Sequence, residues 1–231
     1  MATAKQATIN SVTSVGKDSM RIVADYYDEK CVSGKFIIVD TGLVSEKGKA
    51  VKRAYSLVEV DEDKKQFTCL VKKLWGTPAA DYMHALQKGD SLTFSGPWGK
   101  FYEQDSTGSV WLIATDTGIT ACLGYNNSIK NENVECFMWF KEREDYFIED
   151  VEIKAENYET HIISKVGGAK RAEQCWLKLQ EKLKNSFPKN ICMAGDGEVL
   201  LFLQEKLIAE GFSVEQIHSE LFFNNPAKKS T

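Results

Sequence analysis

Four short stretches of this chain carry residue types that could hold a flat, phosphorylated ligand. RAYSLVEV begins at Arg53. On a strand, Arg53 and Tyr55 point to one face and Ser56 to the other. A guanidinium neutralises a phosphate through a forked donor pair, and a tyrosine ring can stack on a flat heterocycle. The same residues also suit a plain barrel strand with an exposed arginine. WGTPAADYMHALQKGD begins at Trp75. Thr77 is placed to cap, and Pro78 to begin, a short helix ending near Gln87. Exposed amides at its start would attract an anion; the helix could equally just plug a barrel end.

ATDTGITACLG begins at Ala114 and ICMAGDGEVL at Ile191. Each reads as a strand running through a glycine-containing turn into a helix. In a parallel sheet, both turns fall at the carboxyl ends of strands, where ligands of such sheets bind. Each turn also holds an acid, Asp116 or Asp196. A solvated acid beside a phosphate opposes it by roughly 1 kcal/mol, about tenfold in affinity. Alternatively, Asp116 caps the helix amides.

Two different rhythms position these stretches. The first hundred residues predict strands at Thr8–Val15, Met20–Tyr27, Lys35–Thr41, Arg53–Val60, Gln66–Lys73 and Ser91–Gly96. They are rich in β-branched and aromatic residues and bounded by turn residues. Short strands at this density argue for a small antiparallel barrel, interrupted by the helix at Pro78. After Tyr102–Ser109 the pattern alternates. Strands are expected at Val110–Ala114, Val134–Phe140, His161–Ser164, Ile191–Ala194 and Ile217–Phe222. Helices are expected at Gly118–Ser128, along the stripe of Ala172, Trp176, Leu179 and Leu183, and along that of Leu200, Leu203 and Leu207, closed by Gly211. That alternation predicts a mostly parallel, layered α/β sheet. The expected domains are residues 1–105 and 106–231.

Composition narrows the function classes. With 43% hydrophobic residues, the chain can build real cores. A formal net charge of −4 implies no basic field for nucleic acid. No apolar run approaches a membrane span, and no secretory leader is seen. The cysteines are Cys31, Cys69, Cys122, Cys136, Cys175 and Cys192, too scattered for a zinc or iron–sulfur ligand set. They read as small buried residues in a reducing, cytoplasmic compartment. His84, His161 and His218 show no metal spacing, so no metal is expected. KEREDYFIED, with its mixed charges, reads as a solvated surface.

Taken in order, these motifs resemble the ferredoxin–NADP reductase superfamily. The resemblance runs from about Ile9 to Phe223 through RAYS, VKK, the Gly-Thr-Pro helix, GDSLTFSGPWGKF, IATDTGI, AGDGEVL and IHSELFF. It implies a six-stranded antiparallel flavin-binding barrel, followed by a parallel-sheet nucleotide-binding domain of the ferredoxin reductase type. By resemblance, Arg53 within the Arg53-Ala54-Tyr55-Ser56 core contacts the phosphates of FAD. Tyr55 stacks on the isoalloxazine and Ser56 sits near its reactive edge. Leu70, Val71 and Lys72 line the flavin through their backbone. Gly76, Thr77, Pro78, Ala79 and Ala80 receive the pyrophosphate. Thr115, Asp116, Thr117 and Gly118 form the nicotinamide-nucleotide loop. Ala194, Gly195 and Asp196 border the nicotinamide, and Glu220 and Phe222 match a C-terminal acid and aromatic near the flavin. Tyr55, Ser56 and Glu220 are the expected catalytic residues.

The resemblance further implies electron transfer between NADH or NADPH and an acceptor through FAD. The acceptor would be a ferredoxin- or flavodoxin-type carrier or a small molecule. Any iron–sulfur centre would sit on that partner. Four departures stand out: Asp116 where glycine is usual, Ala121 for proline, Ala194 for cysteine, and Ala79 or Ala80 for serine or threonine. They leave open an interaction subunit, with or without flavin, whose nicotinamide site has degenerated. Lys141 and Arg143 could pair the 2′-phosphate of NADPH, while Glu142, Glu144 and Asp145 would repel it.

Overall fold

The computed structural model describes residues 3–16, 18–26, 28, 30–73, 76–99, 108–129, 133–140, 157–162 and 168–224. The first antiparallel sheet contains β1 (Lys5–Ser14), β2 (Ser19–Asp25), β3 (Phe36–Val44), β4 (Ala50–Ser56), β5 (Glu59–Asp61), β6 (Gln66–Lys72) and β7 (Ser91–Trp98). Its order is β4-β3-β7-β1-β2-β6-β5. The two edge strands, β4 and β5, are neighbours in the chain, separated only by Leu57 and Val58. The Leu57 amide donates to the Lys35 carbonyl at 2.7 Å, and the Val58 amide donates to the Thr68 carbonyl at 2.9 Å. The chain therefore leaves one edge of the sheet and joins the other, closing it into a barrel.

The expected strand Arg53–Val60 is thus two strands, giving seven rather than six. The cause is tertiary packing: Ser56, Leu57 and Val58 are all buried, but Leu57 and Val58 belong to different cores. The chain bends, sending Leu57 into the barrel core and Val58 into the core shared with the second sheet. Helix α1 (Pro78–Ala85) covers one end of the barrel, and its Met83 joins Ile37, Val39, Phe67 and Phe94.

The second sheet contains β8 (Val110–Thr115), β9 (Val134–Phe140), β10 (Asn157–Ile162), β11 (Asn190–Asp196) and β12 (Ile217–Phe223). All its pairings are parallel, in the order β10-β9-β8-β11-β12. The order reverses between β8 and β11. Both strands are buried along their whole length, as expected for a sheet covered on both faces. Helices α3 (Gly168–Leu183) and α4 (Gly197–Ala209) cover the face of Trp111 and Ile113. Helix α2 (Ile119–Ser128) covers the opposite face, with Leu112 and Ala114.

Helix α2 is buried from Ile119 through Tyr125, so it lacks an amphipathic pattern. It lies between the two sheets. The Asn127 side-chain amide donates to the Val58 carbonyl at 2.8 Å, and Gly124 faces the Gly34 and Leu57 backbone. The expected boundary at Tyr102–Ser109 falls largely outside the described residues. So do Tyr27, Trp75, Ser164 and KEREDYFIED, including Lys141, Glu142, Arg143, Glu144 and Asp145.

A methyl group at Gly124 would lie 2.5 Å from the Gly34 nitrogen and overlap the Leu57 carbonyl. Alanine favours a helix by about 1 kcal/mol over glycine, but overpacking against backbone costs more. Gly124→Ala is expected to destabilise the protein by roughly 2 kcal/mol. Denaturant unfolding checks this, with a lower midpoint as the expected result.

Candidate functional site

On the barrel, β4 pairs with β3 so that Arg53 lies opposite Val39, Tyr55 opposite Ile37 and Ser56 opposite Phe36. Arg53 and Ala54 are exposed, Tyr55 is half-buried and Ser56 is buried. The Tyr55 hydroxyl donates to the Ala79 carbonyl at 3.4 Å, and burial pushes its pKa up to about 12. This contact brings β4 to the first turn of α1. Thr77 occupies the N-cap position without a side-chain cap bond, contrary to its expected capping role, and Pro78 begins the helix. Gly76 is exposed at φ +75°, with open space where a Cβ would lie. An exposed arginine, an adjacent phenol ring and an open helix start fit a flavin and its phosphates. Leu70 and Val71 are buried side chains, Leu70 within the core between the sheets, so only their backbone could meet a ligand. Lys72 is half-buried at the end of β6.

At the switch in strand order the turns after β8 and β11 pack directly together. A Cβ on Gly118 would overlap the Ala194 carbonyl. Thr115 is fully buried, and its hydroxyl accepts from the Asp196 amide at 2.7 Å. Its side chain therefore ties the two turns together rather than facing a ligand. Asp196 caps α4 by accepting from the Glu198 amide at 3.0 Å, and it also accepts from the Asn224 side chain.

Asp116 departs from both expected roles. Its carboxylate neither caps α2 nor stands as an unpaired like charge in the path of a phosphate. Arg171 on α3 donates to it through both terminal nitrogens, at 2.7 and 2.9 Å. Arg171 also donates to the Trp139 carbonyl at 3.0 Å and lies 3.7 Å from an Asp196 oxygen. Its side chain is 1% exposed. A buried cation needs such partners, because losing them would leave an uncompensated charge. Sequence reasoning missed Arg171. It stands in the buried stripe with Ala172, Cys175, Trp176 and Leu179, and a lone arginine on an apolar helix face signals an internal carboxylate.

The third group joins the two sheets. Glu220 on β12 pairs in register with Ala194 on β11. Its Oε1 lies 3.2 Å from the point where a Cβ of Gly99 would be, as does the Phe36 ring. Since Phe36 pairs with Ser56, the end of RAYS and the C-terminal acid meet at one junction. Burial pushes the Glu220 pKa up to about 7. Phe222 is 39% exposed, two residues beyond it. All six cysteines are buried and unpaired, in line with their expected packing role. Among the described residues no side-chain cluster suits a metal ion, and no helix is long and apolar enough to cross a membrane.

Residues 6–102 match the family described as oxidoreductase FAD-binding domain. That match covers the barrel, less than half of the chain. The chain is 36% identical over 83 residues to an NADH-cytochrome b5 reductase 2 of Mycosarcoma maydis, covering 36% of this chain and 24% of that protein. It is 34% identical over 74 residues to ferredoxin–NADP reductase B of Sorangium cellulosum, covering 32% and 30%. The matched segments thus span about a third or less of these two relatives. A ferredoxin NADP+ reductase of Neisseria gonorrhoeae, solved with FAD and NADP, superposes with a TM-score of 0.74 at 14% identity, covering 96% of this chain and 100% of that one. A siderophore-interacting protein of Acinetobacter baumannii gives 0.75 at 16% identity, covering 96% and 90%. The chain therefore shares with these solved structures the fold of a barrel followed by a parallel sheet.

Glu220 favours its neutral form when folded, since its pKa rises from 4.5 to about 7. The folded state holds the proton more tightly, so this stabilisation is complete below about pH 4.5 and is lost as pH rises through about 7. Thermal unfolding between about pH 5 and pH 8 should show a declining Tm. Glu220→Gln should flatten that decline.

Proposed function

We propose that this chain is an FAD-dependent oxidoreductase that passes electrons from NADH or NADPH to a protein carrier or small acceptor. Residues 1–105 form the flavin-binding unit and residues 106–231 the nicotinamide-nucleotide unit. The observation that carries this reading is the junction where Ser56, Phe36, Gly99 and Glu220 meet, with Ala194 beside Glu220. It sets the end of the barrel's phosphate-and-ring strand against the carboxyl ends of β11 and β12. Bound FAD would supply hydride acceptance and onward electron transfer, chemistry that amino-acid side chains lack.

The protein's own residues bind, orient and exclude water. Arg53 holds flavin phosphate charge, and Tyr55 presents its ring beside it. The backbone of the Gly76–Ala80 segment receives the pyrophosphate at the start of α1, with Gly76 and Ala79 as the amide donors, since Pro78 has no N–H and the Ala80 amide donates to the Thr77 carbonyl at 2.9 Å. Ser56 and Glu220 flank the reacting edge. With its pKa near 7, Glu220 can hold or release a proton at its carboxyl oxygen under ordinary conditions. Thr117 and Gly118 offer backbone to the nucleotide, while Gly195 and Asp196 shape the adjoining turn. Phe222 covers the site from the C-terminal side.

Relatives are named for cytochrome b5 and ferredoxin as well as for nicotinamide nucleotides, so a ferredoxin- or flavodoxin-type carrier is one acceptor class. The free cysteines suit a reducing cytoplasm. A second reading, an electron-transfer or interaction subunit without a working nicotinamide site, draws on Ala194 and on the tight packing of Gly118 against it. The charge of Asp116 no longer favours that alternative, because Arg171 compensates it.

Anaerobic stopped-flow mixing of the flavin-loaded protein with NADH or NADPH tests the choice. Rapid bleaching of the flavin's visible absorbance is expected, and the faster donor identifies the specificity. Bleaching by dithionite but by neither nucleotide would select the second reading. Arg53→Ala should weaken flavin binding by roughly tenfold or more, from loss of a charge-assisted contact. Flavin stoichiometry after gel filtration checks it, and full retention would refute the role of Arg53.

A further inference from the structure

Arg171 reaches over the carboxyl ends of three adjacent strands. Its partners are Asp116 after β8, the Trp139 carbonyl on β9 and Asp196 at the end of β11. Its guanidinium therefore lies beside the gap between β8 and β11, where the strand order reverses. In open α/β sheets a dinucleotide crosses at that gap. Resting on the nicotinamide reading above, we propose that Arg171 is a positioning residue for the dinucleotide's pyrophosphate: it cancels the Asp116 charge and holds the 115–118 turn in a shape that can receive a phosphate.

The geometry supports this at two levels. Asp116 has φ +52°, in the left-handed region that aspartate tolerates but does not prefer. A two-pronged ion pair from a fully buried arginine holds it there. The donors are planar and the arginine is fixed in turn by a backbone carbonyl, so the carboxylate has little freedom to swing toward a ligand. Charge supplies the second level. Asp116 and Asp196 with Arg171 sum to a formal −1; without the arginine the same turns would carry −2. At 1% exposure Arg171 does not itself present a face to solvent. It acts through Asp116 and the turn.

The pair can be unbalanced while an acceptor for Arg171 is kept, at a cost in stability because the buried guanidinium loses its closest compensating charge. An asparagine in place of the acid would keep an acceptor for Arg171 and tolerates the left-handed conformation, so Asp116→Asn shifts the pair from neutral to +1 with little change in shape. The test uses the full, flavin-loaded chain and titrates NADP+, NAD+ and ADP-ribose at several salt concentrations, reading protein and flavin fluorescence. ADP-ribose carries the pyrophosphate without nicotinamide. Asp116→Asn is expected to tighten Kd for all three by about five- to tenfold, with a steeper loss of affinity as salt rises. Arg171→Met is expected to weaken them by about tenfold or more, and Asp116→Asn combined with Arg171→Met to return toward the wild-type value. A damaged fold cannot tighten binding, so Asp116→Asn decides the matter even if Arg171→Met does not fold. Unchanged or weaker binding by Asp116→Asn at full flavin content, with wild-type binding intact, overturns this inference alone. Wild-type protein that binds none of the three overturns the nicotinamide reading and this inference with it.

Discussion

A helix with no solvent face sets the terms for the rest of this molecule. Helix α2 lies on the parallel sheet with one side and on the barrel with the other, buried from Ile119 to Tyr125. Close approach requires a glycine at position 124, and the Asn127 amide secures the helix to the Val58 carbonyl. Val58 is itself at the bend that closes the barrel. Barrel closure and domain docking therefore share one stretch of backbone. Across the same docking, Glu220 of β12 and Phe36 of β3, the register partner of Ser56, both approach Gly99.

The interior charge of the second sheet obeys an equally strict constraint. A buried guanidinium must find its partners inside the protein, and Arg171 finds them at the ends of three strands. The acids that looked like obstacles to a phosphate are thereby part of the sheet's closure. Asp116 is held by the arginine, and Asp196 caps α4 while binding the Asn224 side chain. Thr115 adds a short bond between the turns. The carboxyl edge is consequently cross-linked by hydrogen bonds as well as by the close packing of Gly118 on Ala194.

The division of labour between the two sheets follows from their exposure. The barrel offers an exposed arginine and an open helix start, features suited to an anionic cofactor. The parallel sheet offers tightly packed turns and a carboxyl that titrates near 7. On the proposed reading, the first would supply binding and the second polarity at the reacting edge. Because the two meet at Phe36 and Gly99, a change in either sheet is felt at the same junction.

The amino-acid sequence by itself determined the two rhythms, the helix at Pro78 and the strands of both sheets to within a few residues, which are local matters of periodicity, turn chemistry and side-chain type. The grouping of RAYS, the two turns and the C-terminal acid rested on family resemblance rather than on any local signal. Only the tertiary structure decided that the strand at Arg53–Val60 would break, because burial of Leu57 and Val58 in different cores requires both sheets to be in place. It alone decided the partner of Asp116 as well. Arg171 is distant in sequence, and its charge looks ordinary until α3 lays its apolar stripe on the sheet. Burial then removes water from the guanidinium, and the carboxylates at the strand ends become its replacement.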